Sequence, residues 1–212
     1  MSAPAAARLL AAAALAALAA FPASAAEIPL AERRSGYDEM RPETRAMQDD
    51  DASNPATLWV LDGEAQWGRR AGATAKSCAD CHGDAARSMR GVAARHPSAD
   101  AASGRLFNLD QRINQCRTER QQAPAFGWES RELLALSAYV GRQSRGMPIE
   151  PALNDASRPF LEAGRAAYAR RMGQLNLACE QCHDENRARS LGGTIIPQGH
   201  PNGYPIYRLE WQ

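Results

Sequence analysis

Two runs of this chain carry the same order of reactive residues: Cys78-Ala-Asp-Cys81-His82 and, about a hundred positions on, Cys179-Glu-Gln-Cys182-His183. In a Cys-x-x-Cys-His run the two thiols can add across a pair of vinyl groups as thioethers, and the adjacent imidazole is then placed to ligate a metal from one face. That is the attachment chemistry of c-type haem, with the histidine as proximal iron ligand. Rival chemistries fit less well. A four-cysteine zinc site has no use for a histidine after each pair, and a thioredoxin-like Cys-x-x-Cys belongs to a βαβ pattern that this sequence lacks. The spacing therefore predicts two covalent haems, one through Cys78, Cys81 and His82, the other through Cys179, Cys182 and His183.

The chain has five cysteines, so the two attachments leave Cys116 over. An odd thiol in an oxidising compartment needs a role. Small c-type electron carriers place a methionine in the loop before the last helix of the domain, where it ligates iron and raises the potential. In the first half Cys116 holds that place, after His82 and ahead of a helix near Ser130, whereas Met147 falls beyond that helix and Met89 close to His82. Cys116 is thus the predicted distal ligand, and a thiolate there pulls the potential down. An inert buried thiol, an intermolecular disulfide, or His96 or Met147 in the ligand position are the competing readings. In the second half neither Cys nor Met follows His183, and His200, set in a His-Pro-Asn-Gly turn, is the remaining conventional donor.

The elements that must position these residues read as mainly α, with little sheet. Residues 1–26 form a secretory signal peptide: Arg8, an apolar run from Leu9 to Phe21, then Ala23-Ser24-Ala25 as a small-residue cleavage site. The apolar run is too short to span a bilayer comfortably and none later is longer, so the expected destination is the periplasm, with no membrane span. Residues 27–53, polar and broken by Gly36 and Pro42, read as an extended arm. A first haem domain follows over 54–143. It opens on Asn54-Pro55 as a helix start, with Leu58, Leu61 and Ala65 on one face, runs irregularly from Gly83 to Gln111, and closes on a helix from Ser130 to Gly141 with Leu133, Leu136 and Val140 as its stripe. Residues 144–156, with Gly146, Pro148 and Pro151, read as a linker. The second domain, 157–212, starts with a helix from Ser157 to Met172 carrying Phe160, Ala163 and Ala167 on one face. Each half is a class I cytochrome c-like domain, small because the prosthetic group supplies much of its apolar core.

The formal net charge of +1 gives no field that would suggest nucleic acid as a partner. Lys76 is the sole lysine among 25 basic residues. Arginine suits oxyanion recognition, and Arg189 and Arg208 lie near the second motif, although a solvated or structural role fits either of them better.

The segments Ser35-Gly-Tyr, Arg41-Pro-Glu-Thr-Arg-Ala-Met-Gln-Asp-Asp, Asn54-Pro, Val60-Leu-Asp-Gly-Glu, Ile113-Asn-Gln-Cys116-Arg and the tail Gly199-His-Pro-Asn-Gly-Tyr-Pro-Ile-Tyr-Arg-Leu-Glu-Trp-Gln212 resemble the SoxA family, the dihaem subunit of SoxAX cytochromes of bacterial thiosulfate oxidation. The resemblance covers essentially the whole chain after the signal peptide. It implies an L-cysteine S-thiosulfotransferase that oxidatively joins thiosulfate to a cysteine of a SoxYZ carrier, working with a SoxX-type cytochrome c subunit and passing electrons to a cytochrome c. It also implies His/Cys ligation of both haems, which His82 with Cys116 matches at the first site and His183 matches in part at the second. In the family's pattern a further helix and a cysteine carried as a persulfide follow the Tyr-Arg-Leu-Glu-Trp-Gln stretch, and that cysteine is the catalytic group. This sequence stops at Gln212, so no residue in it takes the catalytic role and the second domain is expected to be C-terminally incomplete. A dihaem electron-transfer cytochrome without catalysis of its own is the alternative, and a dihaem peroxidase a more distant one.

Overall fold

The structure, a computed structural model, describes residues 28–199. The signal segment, His200 and Arg208 lie outside the described residues. The described chain is mainly helical, with two short β-hairpins.

The arm is less extended than its composition suggests. Short 3-10 turns at Leu30–Glu32 and Gly36–Glu39 precede a two-turn helix, α1 (Pro42–Asp49), which corrects the reading of 27–53 as extended. Arg41 is in the β region and Pro42 occupies the first helical turn, where a missing N–H costs nothing and the fixed φ favours the helix. Behind it Asp51 receives a fork from Arg142 at 2.8 and 2.5 Å and a further bond from Arg145 at 2.8 Å. The Arg142 guanidinium, helped by Arg145, pulls the Asp51 carboxyl down to about 2. A folded pKa below the unfolded one means that the clamp acts in full above the ordinary carboxylate range and is lost as pH falls through about 2. Acidification through that window is expected to speed hydrogen exchange across 42–50, and Asp51→Asn to reproduce the fast exchange at neutral pH. Equal exchange in both proteins at pH 7 would show that the clamp holds nothing.

α2 (Ala56–Trp67) starts where Asn54 caps it, its Oδ1 accepting from the Ala56 N–H at 2.9 Å. The buried stripe is Ala56, Gly63 and Trp67, with Val60 half-buried between them. The predicted stripe faces outward instead: Leu58 is 67% and Leu61 53% exposed. The reason lies across the interface. α2 packs along α6 (Arg131–Arg142), and at Gly63 the two backbones meet so closely that an added Cβ would lie 2.0 Å from the Ala135 carbonyl oxygen. Small residues, not leucines, permit that approach. α6 itself follows its sequence pattern, with Ser130 accepting from the Leu133 N–H and Leu133, Leu136 and Val140 buried.

Between these helices the chain forms α3 (Cys78–His82), α4 (Ala85–Ser88), a 3-10 turn (Ala93–Arg95), the antiparallel pair β1 (Ser98–Ala99) and β2 (Leu106–Phe107), and α5 (Leu109–Cys116). The stretch 83–111 is therefore more structured than expected. α5 had a legible start: Asn108 and Gln111 form a reciprocal capping box at 2.8 and 2.9 Å.

After 144–156, which lies back on the first domain through the Glu150 N–H to Ala94 carbonyl bond, comes α7 (Arg158–Ala169). It ends short of Met172, and Ser157 does not cap it: its hydroxyl closes the preceding turn by bonding the Ala152 carbonyl at 2.9 Å. α8 (Cys179–His183) and the hairpin β3 (Ser190–Leu191) with β4 (Thr194–Ile195) complete the described fold.

Candidate functional site

Cys78 and Cys81 stand on one turn of α3 because Ser77 and Asp80 cap each other, with the Asp80 N–H to Ser77 Oγ at 3.0 Å and the Ser77 N–H to Asp80 Oδ2 at 2.8 Å. Residues three apart share a helix face, so both sulfurs project to one side while His82 ends the turn. Gly83, at φ 65°, then reverses the chain, and Trp67 Nε1 donates to its carbonyl at 2.9 Å. The Trp67 and His82 ring centroids lie 5.8 Å apart. Thus α2 holds the residue after His82 and packs against the imidazole itself.

Above this turn a cavity of about 410 Å³ opens between α3, α5 and α6. Cys78, Cys81, His82 and Cys116 all line it, and Trp67, Leu109, Ile113, Leu136 and Val140 give it apolar walls. The volume is that of a small-molecule or cofactor site. A flat apolar macrocycle with two thioether anchors fits this donor set; a bare metal ion does not, since among the described residues no three His, Cys, Asp or Glu side chains gather as a metal site. Met89, set aside above as too close to His82, also lines the cavity, but the two competing distal donors do not. Met147 packs at Gly91 instead, and His96 turns its Nδ1 to the Val92 carbonyl at 2.8 Å.

The position of Cys116 is set by backbone. α5 passes at Cys116 into a π-turn, Arg117–Gln121, a wider coil that is common at functional sites, and Gln122 closes it at φ 53°. This turn is stitched to the hairpin that precedes α3. Gln121 Nε2 donates to the Lys76 carbonyl at 2.8 Å, Thr74 Oγ1 donates to the Gln121 carbonyl at 3.0 Å, and Gly72, at φ 67°, leaves room for the Gln121 oxygen where a Cβ would be 2.1 Å away. The Cys78–His82 turn and the turn that carries Cys116 are therefore parts of one hydrogen-bonded unit, with no trace in the sequence pattern. Burial pushes the Cys116 thiol up, with Arg112 and Arg120 pulling against it; burial, with Cys116 nearby, raises Cys78 likewise.

The second motif repeats the first element by element. Met172 and Leu177 bridge as Ala71 and Lys76 do, and Gly173 and Asn176 take positive φ as Gly72 and Ala75 do. Tyr168 stands at the place of Trp67, and its hydroxyl donates to Asp184 at 2.8 Å, the residue after His183. Burial and this carboxylate push the Tyr168 pKa up strongly. The Ala178 N–H is capped by Gln181 Oε1 at 2.8 Å. Cys182 is half-buried and Cys179 exposed. His183 Nδ1 donates to the Pro197 carbonyl at 2.9 Å, which fixes the tautomer with Nε2 as the acceptor nitrogen, the one that could take a metal. Neither Tyr168 nor Pro197 was legible as a site residue without the repeat. Arg189 is exposed beside the hairpin, its carbonyl accepting from the Ile196 N–H. Among the described residues nothing lies within 4 Å of a Cβ built at Gly164 or Gly173, the counterparts of Gly63 and Gly72.

Residues 62–149 match the family model for the SoxA/TsdA cytochrome c domain. Over 183 residues the chain is 36% identical to the L-cysteine S-thiosulfotransferase subunit SoxA of Pseudaminobacter salicylatoxidans, covering 86% of this chain and 64% of that protein. It is 35% identical to the same subunit of Rhodovulum sulfidophilum, covering 84% and 62%. The chain thus spans just under two thirds of the length of these relatives. Among solved structures it resembles the SoxXA crystal structure from P. pantotrophus with a TM-score of 0.78 at 32% identity, covering 84% of this chain and 67% of that one.

Proposed function

This chain belongs to the SoxA family, and from that premise we propose that it is a periplasmic dihaem c-type cytochrome serving as a subunit of an L-cysteine S-thiosulfotransferase, paired with a SoxX-type cytochrome c. The reaction joins thiosulfate to a cysteine thiolate of a SoxYZ carrier. One S–S bond forms, the thiol S–H is the bond that breaks, its proton goes to solvent, and two electrons leave one at a time to a c-type cytochrome. Haem, when bound, supplies the one-electron relay.

The residues of this chain divide the remaining work. Cys78 with Cys81 and Cys179 with Cys182 hold the two macrocycles, and His82 and His183 present a ring nitrogen to each iron. Cys116 gives the first site an anionic donor that favours the ferric state. The observation that carries the reading is that Cys116 lines the same cavity as Cys78, Cys81 and His82. A dihaem electron-transfer cytochrome is the second reading, since the same attachment and ligand residues would serve it equally.

The denatured, intact protein is expected to carry two haem adducts by mass, and a single adduct would refute the repeat. With the SoxX-type partner, carrier, thiosulfate and oxidised cytochrome c, the carrier should gain one thiosulfate for every two cytochromes reduced. Haem reduction by a cytochrome donor with no adduct on the carrier would favour the second reading.

A further inference from the structure

The arm reaches the second haem-attachment unit at one side chain. Gln198 Nε2 donates to the Glu32 carbonyl at 2.9 Å, and Gln198 Oε1 accepts from the Arg34 N–H at 2.7 Å. The amide thus pairs with the arm backbone at both ends, as a neighbouring strand would. Its own backbone follows Pro197, whose carbonyl accepts the His183 Nδ1–H. Pro197 has no N–H and a fixed φ, so the aim of that carbonyl is set by what holds its two neighbours. On one side Ile196 is tied into the hairpin, its N–H to the Arg189 carbonyl at 2.8 Å and its carbonyl to the Ala188 N–H at 2.9 Å. On the other side is Gln198, held by the arm. At its far end the arm is held to α6 by the Asp51 fork, so it bridges from the first domain to the second.

We propose that the arm is a strap that holds the Pro197 carbonyl on His183, with Gln198 as the positioning residue, and that it thereby tunes the proximal ligand of the second haem. A carbonyl accepting from Nδ1–H makes the imidazole a stronger donor at Nε2 and favours the ferric state. Loosening the strap weakens that donation and raises the potential of the second haem while leaving the first unmoved. The proposal rests on the reading of the second motif as a haem site, which the haem count of the unsubstituted protein checks independently.

The test is a redox titration of the full holoprotein, with the component that Cys116→Met leaves in place taken as the second haem. Gln198→Ala is expected to raise that midpoint. Arg34→Pro removes the backbone donor together with the side chain, leaves every residue of the second domain intact, and is expected to shift the same midpoint in the same direction, whereas Arg34→Ala, which loses the side chain but keeps the N–H, is expected to leave it in place. Gln198→Glu keeps the acceptor for Arg34 but sets a carboxylate against the Glu32 carbonyl, and should behave like Gln198→Ala. Two haems present with an unchanged second midpoint, although hydrogen exchange shows residues 28–34 released, would overturn the strap. So would equal shifts at both haems, which would mark a general loosening of the fold.

Discussion

Cys116→Met is expected to leave the first haem attached through Cys78 and Cys81 and to raise its midpoint by a substantial part of the span of about 0.8 V that axial ligands command. A thiolate donates charge to ferric iron, whereas a thioether donates little and favours the ferrous state. The cavity makes the exchange feasible: methionine is flexible, the walls around Cys116 are apolar, and Met89 already lines the same space. The fold around the position does not depend on the sulfur, because the π-turn is held through the Gln121 amide and the Thr74 hydroxyl. A first haem with unaltered potential and spectrum would remove Cys116 from the coordination sphere.

The chemistry was more legible in this sequence than the packing. Cysteine pairs and their histidines announce themselves by spacing, and Cys116 stood out because an odd thiol has few uses; the structure places it in the cavity of the first motif. The helix opening the first domain was found, but its buried face was misread. Leu58 and Leu61 carry the stronger apolar signal, yet the interface selects Ala56, Gly63 and Trp67 because two backbones meet there. Hydrophobic periodicity weights large side chains and cannot register a contact made by their absence. α6 follows its pattern because its own buried stripe is made of large side chains, Leu133, Leu136 and Val140. The hairpin 71–76 escaped notice because it is built from backbone bonds and left-handed turns, and its only sequence trace is Gly72 with its counterpart Gly173.

Gly63→Ala is expected to destabilise the first domain by about 3 kcal/mol, even though alanine gains about 1 kcal/mol over glycine in a helix interior. The new methyl would meet the Ala135 carbonyl oxygen at 2.0 Å and the Tyr139 Cβ at 2.6 Å. No rotamer relieves a clash between a Cβ and a backbone oxygen, so α2 and α6 must separate. These helices contribute Trp67, Leu136 and Val140 to the cavity walls, so the haem environment should loosen with the fold. Gly164→Ala is the internal control. It stands in α7 where Gly63 stands in α2, and among the described residues nothing lies within 4 Å of its Cβ. The helix-propensity gain is then unopposed, and a change of about 1 kcal/mol in the stabilising direction is expected. Denaturant unfolding followed at the far-ultraviolet and Soret bands measures both. A neutral Gly63→Ala would disprove the close approach of α2 and α6. A Gly164→Ala as costly as Gly63→Ala would mean that α7, too, receives a helix or turn at its glycine, supplied from beyond residues 28–199 or by a partner chain.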